Sequence, residues 1–118
     1  MAAERAETGA LDVSTPEGEL VKTILSALPH YNVFAWRNNT GAVKTDERFI
    51  RYGYRGSADI LGITQDGRMI CIECKVKTKL SSYQQAFLEE VKRRGGIAVV
   101  CRPGDWQDVI EQALGVTA

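Results

Sequence analysis

Residues 57–76, SADILGITQDGRMICIECKV, decide the fold of this chain. Two largely apolar runs, residues 57–63 and 69–76, are joined by a short polar segment that contains Asp66-Gly67. An Asp-Gly pair between runs of this kind is a strong signal for a β-hairpin. The stretch therefore predicts two antiparallel strands with a tight turn between them.

Strand alternation brings three charged side chains to one place on this hairpin. Glu73 and Lys75 are two residues apart and share one face of the second strand, while Asp59 lies on the first strand, across the turn. The opposite face carries Ile72, Cys74 and Val76. Apolar neighbours on both sides indicate a central strand, where charged groups require a specific reason. We expect two carboxylates and one ammonium to converge at one end of the sheet.

This set of groups is suited to metal-assisted phosphate chemistry. Carboxylate oxygens are the ligands that Mg²⁺ and Mn²⁺ prefer, and such an ion can polarise a phosphate and generate hydroxide from water. Lys75 would orient that water or offset charge that develops on the phosphate. The spacing of Glu73 and Lys75 alone favours a simpler alternative, an ion pair on a solvated strand face. The apolar surroundings favour the metal site.

The cysteines at positions 71, 74 and 101 do not predict a zinc site. Cys71 and Cys74 have the spacing of a zinc half-site, but an odd separation along a strand places them on opposite faces. No second pair of this spacing exists to complete four ligands. Free thiols are typical of a reducing compartment, and we expect all three to be small core residues.

The rest of the chain supplies helices on both sides of the hairpin. Thr15-Pro16-Glu17 predicts the start of one helix, which ends before Pro29. A second helix is predicted over residues 81–94, with Ser81 or Ser82 as its N-cap, and it ends at Gly95-Gly96. Apolar residues recur at helical spacing at positions 20, 21, 24, 25 and 28, and again at 106, 109, 110 and 114 after Pro103-Gly104-Asp105.

Two further strands, residues 33–36 and 97–101, and an irregular loop over residues 42–56 complete the order αβββαβα. Helices flanking a mixed sheet are expected, an α/β fold in a single domain over residues 15–118. Residues 1–14 are small and polar and predict a flexible tail. We expect Trp36 to be a core residue, Trp106 to pack a helix on the sheet, and His30 to lie at the surface.

Charge and composition exclude few classes of function. The 118 residues carry 15 bases and 15 acids, but residues 1–20 hold five of the acids and one base, which leaves 14 bases and 10 acids elsewhere. This mild excess is compatible with a polyanionic partner. No apolar run is long enough to cross a membrane and no secretory signal is recognisable, so we expect a cytoplasmic protein.

Basic residues cluster in the segment before Asp59, interleaved with Tyr52 and Tyr54. Solvated loop charges are the simple interpretation, and phosphate contact with base stacking is the alternative. If the partner is nucleic acid, we expect contacts from Arg37, Asn39, Lys44, Arg51, Arg55 and Lys77.

The ordered motifs resemble a known nuclease family. Gly56-Ser57-Ala58-Asp59, Asp66-Gly67-Arg68 and Ile72-Glu73-Cys74-Lys75 are similar to the PD-(D/E)xK signature, and in particular to the virus-type replication-repair nuclease (VRR-NUC) domain. Further segments are similar to the same family and occur in the family's order, so that the resemblance spans roughly residues 15–102. They are Pro16-Glu17, Trp36-Arg37-Asn38-Asn39-Thr40-Gly41 and Leu80-Ser81-Ser82-Tyr83-Gln84. One departure is Ala58, where the family usually has proline, and it removes no chemical group from the site.

The resemblance implies a restriction-endonuclease-like αβββαβ core followed by a C-terminal helix. It implies that Asp59, Glu73 and the backbone carbonyl of Cys74 bind Mg²⁺ or Mn²⁺ and that Lys75 is the catalytic lysine. Glu17 would complete the metal site directly or through water, with Glu19 as a rival. Gln84 would support the lysine and the water, with Gln85 as the less favoured candidate.

The resemblance also implies a substrate and an assembly. Stand-alone members are small, viral or bacterial, and tend to act as homodimers on branched DNA such as four-way junctions. We therefore expect a homodimeric DNA endonuclease in the cytoplasm of a bacterium or a phage-infected host, formed through the apolar stripes of the first and last helices. The alternative is a DNA-binding module that keeps the fold without catalysis. A sequence-specific restriction enzyme is less favoured, because the chain has no room for a separate reading domain.

Overall fold

The predicted hairpin is present at the centre of the sheet. The computed structural model describes residues 15–116, and here strands β4 (Ile60–Ile63) and β5 (Met69–Cys74) pair antiparallel, with Ile63 opposite Met69. Gly67 adopts a φ of +86° in the turn, a conformation that favours glycine. The strands are shorter than predicted at their outer ends, although the Lys75 N–H still donates to the Cys101 carbonyl at 3.0 Å.

Two further strands extend this hairpin into a mixed sheet. Strand β1 (Phe34–Arg37) pairs antiparallel with β4, and β6 (Ile97–Cys101) pairs parallel with β5, giving the order β1-β4-β5-β6. Strand β5 therefore has neighbours on both sides, and its side chains are buried from Ile70 to Cys74. The central position predicted for this strand is confirmed.

Three helices cover the sheet, as expected for an α/β fold with a mixed sheet. Helix α1 (Pro16–Ala27) begins at Thr15, whose hydroxyl accepts from the Gly18 N–H at 2.9 Å, and a 3-10 turn (Leu28–Tyr31) follows it. Helix α2 (Ser82–Arg93) and helix α3 (Trp106–Leu114) flank β6 along the chain. Among residues 15–116 no helix is both long and apolar enough to span a membrane.

The helices divide the core into two clusters. Helices α1 and α3 pack on one face, where Ile24 and Ile110 meet Ile72 and Cys74, and Trp106 packs against the same cluster. Helix α2 packs on the other face, where Leu88 and Val91 meet Cys71, Ala58 and Ala98. Cys71 and Cys74 thus lie on opposite faces, and all three cysteines are buried free thiols, as predicted.

The prediction of an irregular loop over residues 42–56 is wrong. Strands β2 (Gly41–Lys44) and β3 (Phe49–Tyr52) form a separate two-stranded antiparallel hairpin there. The Thr45 side chain closes its turn by accepting from the Arg48 N–H at 3.0 Å. Side chains on both faces of this hairpin are largely exposed, so the sequence lacks the apolar–polar alternation that marks a half-buried strand.

The prediction that Trp36 is a core residue is also wrong. Trp36 is 43 % exposed and its ring centroid lies 5.5 Å from that of Phe34, which is 71 % exposed. Ile63 is opposite Phe34 in the register and is exposed as well. We call Phe34, Trp36 and Ile63 the sheet patch. It is exposed because α2 covers the β5–β6 half of this face and leaves the edge strand β1 uncovered.

The predicted tail over residues 1–14 lies outside the described residues, as do positions 117 and 118 of the predicted domain.

Candidate active site

Two carboxyl groups meet where β4 begins and β5 ends. Asp59 precedes β4, and its Oδ2 accepts from the backbone N–H of Cys74 at 2.8 Å. Glu73, the next-to-last residue of β5, is 2 % exposed and lies close enough to Asp59 for that carboxylate to raise its pKa. Two carboxyl groups this close together disfavour each other's ionised form.

An ammonium and an amide complete this cluster. Lys75 is 8 % exposed, and its Nζ lies 3.9 Å from Oε2 of Glu73. Gln84 donates from Nε2 to the same oxygen at 3.0 Å. Gln85, its rival in the sequence, instead lines a separate groove with Leu80 and Leu88. The structure therefore brings together Asp59, Glu73, Lys75 and Gln84.

Burial dominates the electrostatics of the carboxyl pair. Burial and the adjacent Asp59 raise the pKa of Glu73 to about 8, although Lys75 acts in the opposite direction. Burial also raises the pKa of Asp59, against the opposing effects of the Cys74 N–H, Glu73, Lys75 and Arg37. Near neutral pH the pair therefore retains a proton that a divalent cation would displace.

Glu17 lies in the first turn of α1. Its charge raises the pKa of Glu73, so the two groups are close enough to interact. Glu19, the rival candidate, is exposed on the helix. Within residues 15–116 no group of three or more His, Cys, Asp or Glu side chains is arranged to hold one metal ion. The half-buried carboxyl of Asp59 and the buried carboxyl of Glu73 nonetheless supply hard oxygen donors that fit a Mg²⁺ or Mn²⁺ ion that keeps several water ligands.

A loop positioned by residues far apart in sequence holds Asp59. The Asn38 side chain donates to the Ser57 hydroxyl at 2.7 Å and to the Ala58 carbonyl at 2.9 Å, and its backbone N–H donates to the Asp59 carbonyl at 2.7 Å. Gly56, with a φ of +87°, lies against the Tyr83 backbone of α2, where an added Cβ would be only 2.4 Å from the carbonyl oxygen. The loop is thus fixed between β1 and α2.

A cavity of about 290 Å³ opens over the two carboxyl groups. Its lining includes Asp59, Glu73 and Gln84, together with Arg51 from β3 and Arg55 from the following loop. Among residues 15–116 neither guanidinium pairs with a carboxylate, so both cations are available to an anionic ligand. We call this space the site cavity.

The other predicted DNA contacts are distributed differently. Arg37 ends β1 near Asp59, whose pKa it helps to lower, and it donates to the Asn39 side chain. Lys44 and Lys77 are exposed outside the site cavity. The six predicted residues are thus separated into three pairs: Arg37 and Asn39 are half-buried at the end of β1 and just after it, Arg51 and Arg55 line the site cavity, and Lys44 and Lys77 are exposed outside it.

Sequence reasoning gave no individual role to three residues that shape this region. Asn38 and Tyr83 were recognised only as parts of longer motifs, and Arg102 was not singled out. The Arg102 guanidinium donates to the carbonyls of Val76 at 3.4 Å and Thr78 at 3.2 Å, which holds the segment after Lys75. These contacts join residues 24 and 26 positions apart, so no local pattern reveals them.

The arrangement can bind an anion and place it beside two carboxyls and an ammonium, which is the chemistry of phosphoester hydrolysis when a divalent cation is bound. No family model and no curated protein sequence matches the chain.

Proposed function

We propose that this chain is a Mg²⁺- or Mn²⁺-dependent DNA endonuclease that hydrolyses phosphodiester bonds. One observation carries the proposal: the adjacent carboxyls of Asp59 and buried Glu73 lie with buried Lys75 beside a cavity lined by Arg51 and Arg55. Buried charged groups are retained where function requires them, and this set combines metal ligands with a cation and phosphate-binding side chains.

We further propose that the fold is the restriction-endonuclease-like core of the VRR-NUC domain. The order of α1, the sheet strands β1, β4 and β5, α2 and β6 supports this, with α3 as the C-terminal helix. The β2–β3 hairpin is then an insertion between the first and second strands of that core. It carries Lys44 and Arg51.

The chain's own residues would act as follows. Asp59, Glu73 and the Cys74 carbonyl would hold the divalent cation, with Glu17 reached through water. When bound, this cation would polarise the scissile phosphate and lower the pKa of the attacking water. Arg51 and Arg55 would hold the phosphate backbone in the site cavity. Lys75 would stabilise negative charge that develops on the phosphate, and Gln84 would fix the orientation of Glu73.

Branched DNA, such as a four-way junction, is the proposed substrate, and a homodimer the proposed form, in a bacterial or phage-infected cytoplasm. The apolar sides of α1 and α3 pack within their own chain, so they are poor candidates for the dimer contact. The sheet patch is a better one, because three large apolar side chains lie exposed together on one face. Two sites related by symmetry could cut two strands of one junction.

A second function, a DNA-binding module without catalysis, has one observation in its favour. The raised pKa of Glu73 keeps this carboxyl protonated near neutral pH, and the described residues contain no group of three side-chain metal ligands. Such a site would need the cation to displace the proton before it acted. The arginine-lined cavity would serve a binding module equally well.

A cleavage panel separates these functions. The full-length protein is incubated with single-stranded, duplex, flap and four-way-junction DNA in Mg²⁺, Mn²⁺ or EDTA, alongside Asp59→Asn and Glu73→Gln. A nuclease cuts only with the metal and loses activity in both variants, while circular dichroism shows an unchanged fold. A protein that binds DNA equally in EDTA and never cuts it is the module instead.

A further inference from the structure

A larger groove adjoins the site cavity on the α2 face of the sheet. It encloses about 750 Å³, within the range of pockets that hold small organic ligands. Aromatic and apolar side chains from α2, β5 and the loop after β3 line it, and we call it the aromatic groove; the ones used here are Tyr54, Met69, Tyr83, Phe87 and Val91.

Two residues join the groove to the site cavity. Arg55 and Tyr83 line both spaces, so the two spaces meet at this pair of residues. The Arg55 guanidinium lies 3.7 Å from the centroid of the Tyr83 ring, a close cation–π contact. The tight packing of Gly56 on the Tyr83 backbone fixes this junction. The groove is therefore a continuation of the candidate active site.

The groove has the chemistry of a base-stacking surface. Tyr54 is 72 % exposed and Tyr83 is 49 % exposed, so two large aromatic rings present surface to solvent in one groove, and a grouping of this kind favours contact with a ligand. The rings of Tyr54 and Phe87 are 6.0 Å apart at an angle of 46°, so they touch at a tilt and do not stack on each other. Tyr54 thus keeps ring surface for another planar group.

The charges of the groove are concentrated at the junction with the site cavity. Arg68 pairs with Asp66 at 3.0 Å and Arg94 with Glu90 at 2.5 Å, so carboxylates neutralise both. Arg55 has no carboxylate partner among residues 15–116. A ligand that fits would place an anionic group at Arg55 and planar aromatic groups on Tyr54.

We infer that the aromatic groove binds unpaired nucleotides of the strand that is cut, with a phosphate at Arg55 and a base on Tyr54. The inference rests on the proposed function for the adjacent phosphate. Bases within a duplex are already stacked and paired, so they cannot occupy this surface. The substrate class is therefore DNA with a single-stranded segment beside the cleaved bond, such as a flap or an opened branch point.

Binding in EDTA tests the groove separately from catalysis. The full-length protein is titrated with a single-stranded oligonucleotide carrying the fluorescent base 2-aminopurine, and with the matching duplex. Tyr54→Ala should weaken single-strand binding by about five- to a hundredfold, the effect of removing one stacking ring, and abolish the fluorescence quenching. Duplex binding should be unchanged. Tyr54→Phe keeps the ring and should bind both DNAs like the wild type.

Equal loss of single-strand and duplex binding in Tyr54→Ala, or no loss of either, would contradict the inference that the aromatic groove binds unpaired nucleotides. These results say nothing about cleavage, because no metal is present. Conversely, if the Tyr54 variants bind DNA as expected but the protein cuts no DNA in Mg²⁺ or Mn²⁺, the inference about the aromatic groove stands and the proposed nuclease function is contradicted. In active protein, Tyr54→Ala should lower kcat/KM for a flap more than for a nicked duplex.

Discussion

Gln84 donates a hydrogen bond to Glu73, and a second hydrogen bond, between the Gln84 side chain and Ser81, fixes which Gln84 atom faces the carboxyl. Its Nε2 donates to Oε2 of Glu73 at 3.0 Å, while its Oε1 accepts from the Ser81 N–H at 2.9 Å. The Ser81 hydroxyl in turn accepts from the Gln84 N–H at 3.1 Å, which completes a capping box at the start of α2. The helix cap therefore determines that Gln84 presents a donor to the carboxyl.

We predict that Gln84→Ala weakens Mn²⁺ binding and lowers the cleavage rate, each by about 10- to 100-fold, the usual effect of losing a partner of a metal ligand. Isothermal titration with Mn²⁺ and single-turnover cleavage measure the two effects. Gln85→Ala is the matched control, because Gln85 lies in another groove and should leave both unchanged. Equal effects of the two substitutions would indicate a general disturbance of α2 and contradict a specific role for the Gln84 amide.

A substitution at Lys75 tests whether the charge of this side chain is catalytic or structural. Lys75→Met keeps most of the side-chain length and removes the ammonium 3.9 Å from Glu73. We predict that Mn²⁺ binding is retained while the single-turnover rate falls by orders of magnitude, because the ammonium acts on charge that develops in the transition state. Wild-type cleavage by Lys75→Met would make the lysine a structural ion-pair partner.

The raised pKa of Glu73 predicts a pH-dependent stability of the metal-free protein. The folded chain retains this proton up to a pH of about 8, whereas the unfolded chain releases it near 4.5. Between these values the folded state binds more protons, so stability falls as pH rises. In EDTA, Glu73→Gln should therefore have a higher Tm than the wild type at pH 8 and a similar Tm at pH 5.

Thermal unfolding with added Mn²⁺ completes this test. The cation should raise the Tm of the wild type at pH 8 and have no effect on Glu73→Gln, because binding to the folded state alone is stabilising. A Glu73→Gln protein that is less stable than the wild type at pH 8 would contradict the raised pKa of Glu73 and assign this residue a structural role.

The sequence predicts the centre of this molecule well because the signals there are local. The Asp66-Gly67 turn and the alternation of β5 were sufficient to place Glu73 beside Lys75 and Asp59 across the hairpin. Cap residues likewise located the start of α1 at Thr15, and for α2 they left a choice that the structure resolves as Ser81.

The errors arise where the outcome depends on what covers a residue. Trp36 is a large apolar residue in a predicted strand, which favours a core position, but its exposure depends on how far α2 extends across the sheet. The β2–β3 hairpin buries neither face well, so its strands carry no alternation to recognise. The pairing of Arg55 with Tyr83 joins a loop to a helix and is set by the close packing at Gly56.

Arg51 and Arg55 should dominate the electrostatic part of DNA binding. Changing both to alanine removes two cations of the site cavity that pair with no carboxylate within residues 15–116, so we predict weaker binding and a shallower dependence of log affinity on log salt. Lys22→Ala with Lys92→Ala removes the same charge from exposed positions on α1 and α2 and serves as the control. An equal change in salt slope for both pairs would indicate a diffuse charge effect.

The last prediction concerns the sheet patch. Zero formal net charge offers little electrostatic resistance to self-association, and Phe34, Trp36 and Ile63 expose apolar surface on one face beside the edge strand β1. We predict a homodimer that buries this patch, and Phe34→Glu should convert it to a monomer in light scattering. Phe34 is 71 % exposed, so the substitution leaves the core intact, whereas Leu25→Glu on α1 would disturb core packing.

Phe49→Glu is the matched control, since it introduces the same charge at an exposed phenylalanine on the β2–β3 hairpin. It should remain dimeric. If two sites act on one junction, Phe34→Glu should reduce paired cleavage of a four-way junction more than nicking of a flap, because only the former requires both protomers. A wild-type protein that is monomeric at all accessible concentrations and still resolves junctions would eliminate the dimer and leave a nuclease that acts through one site.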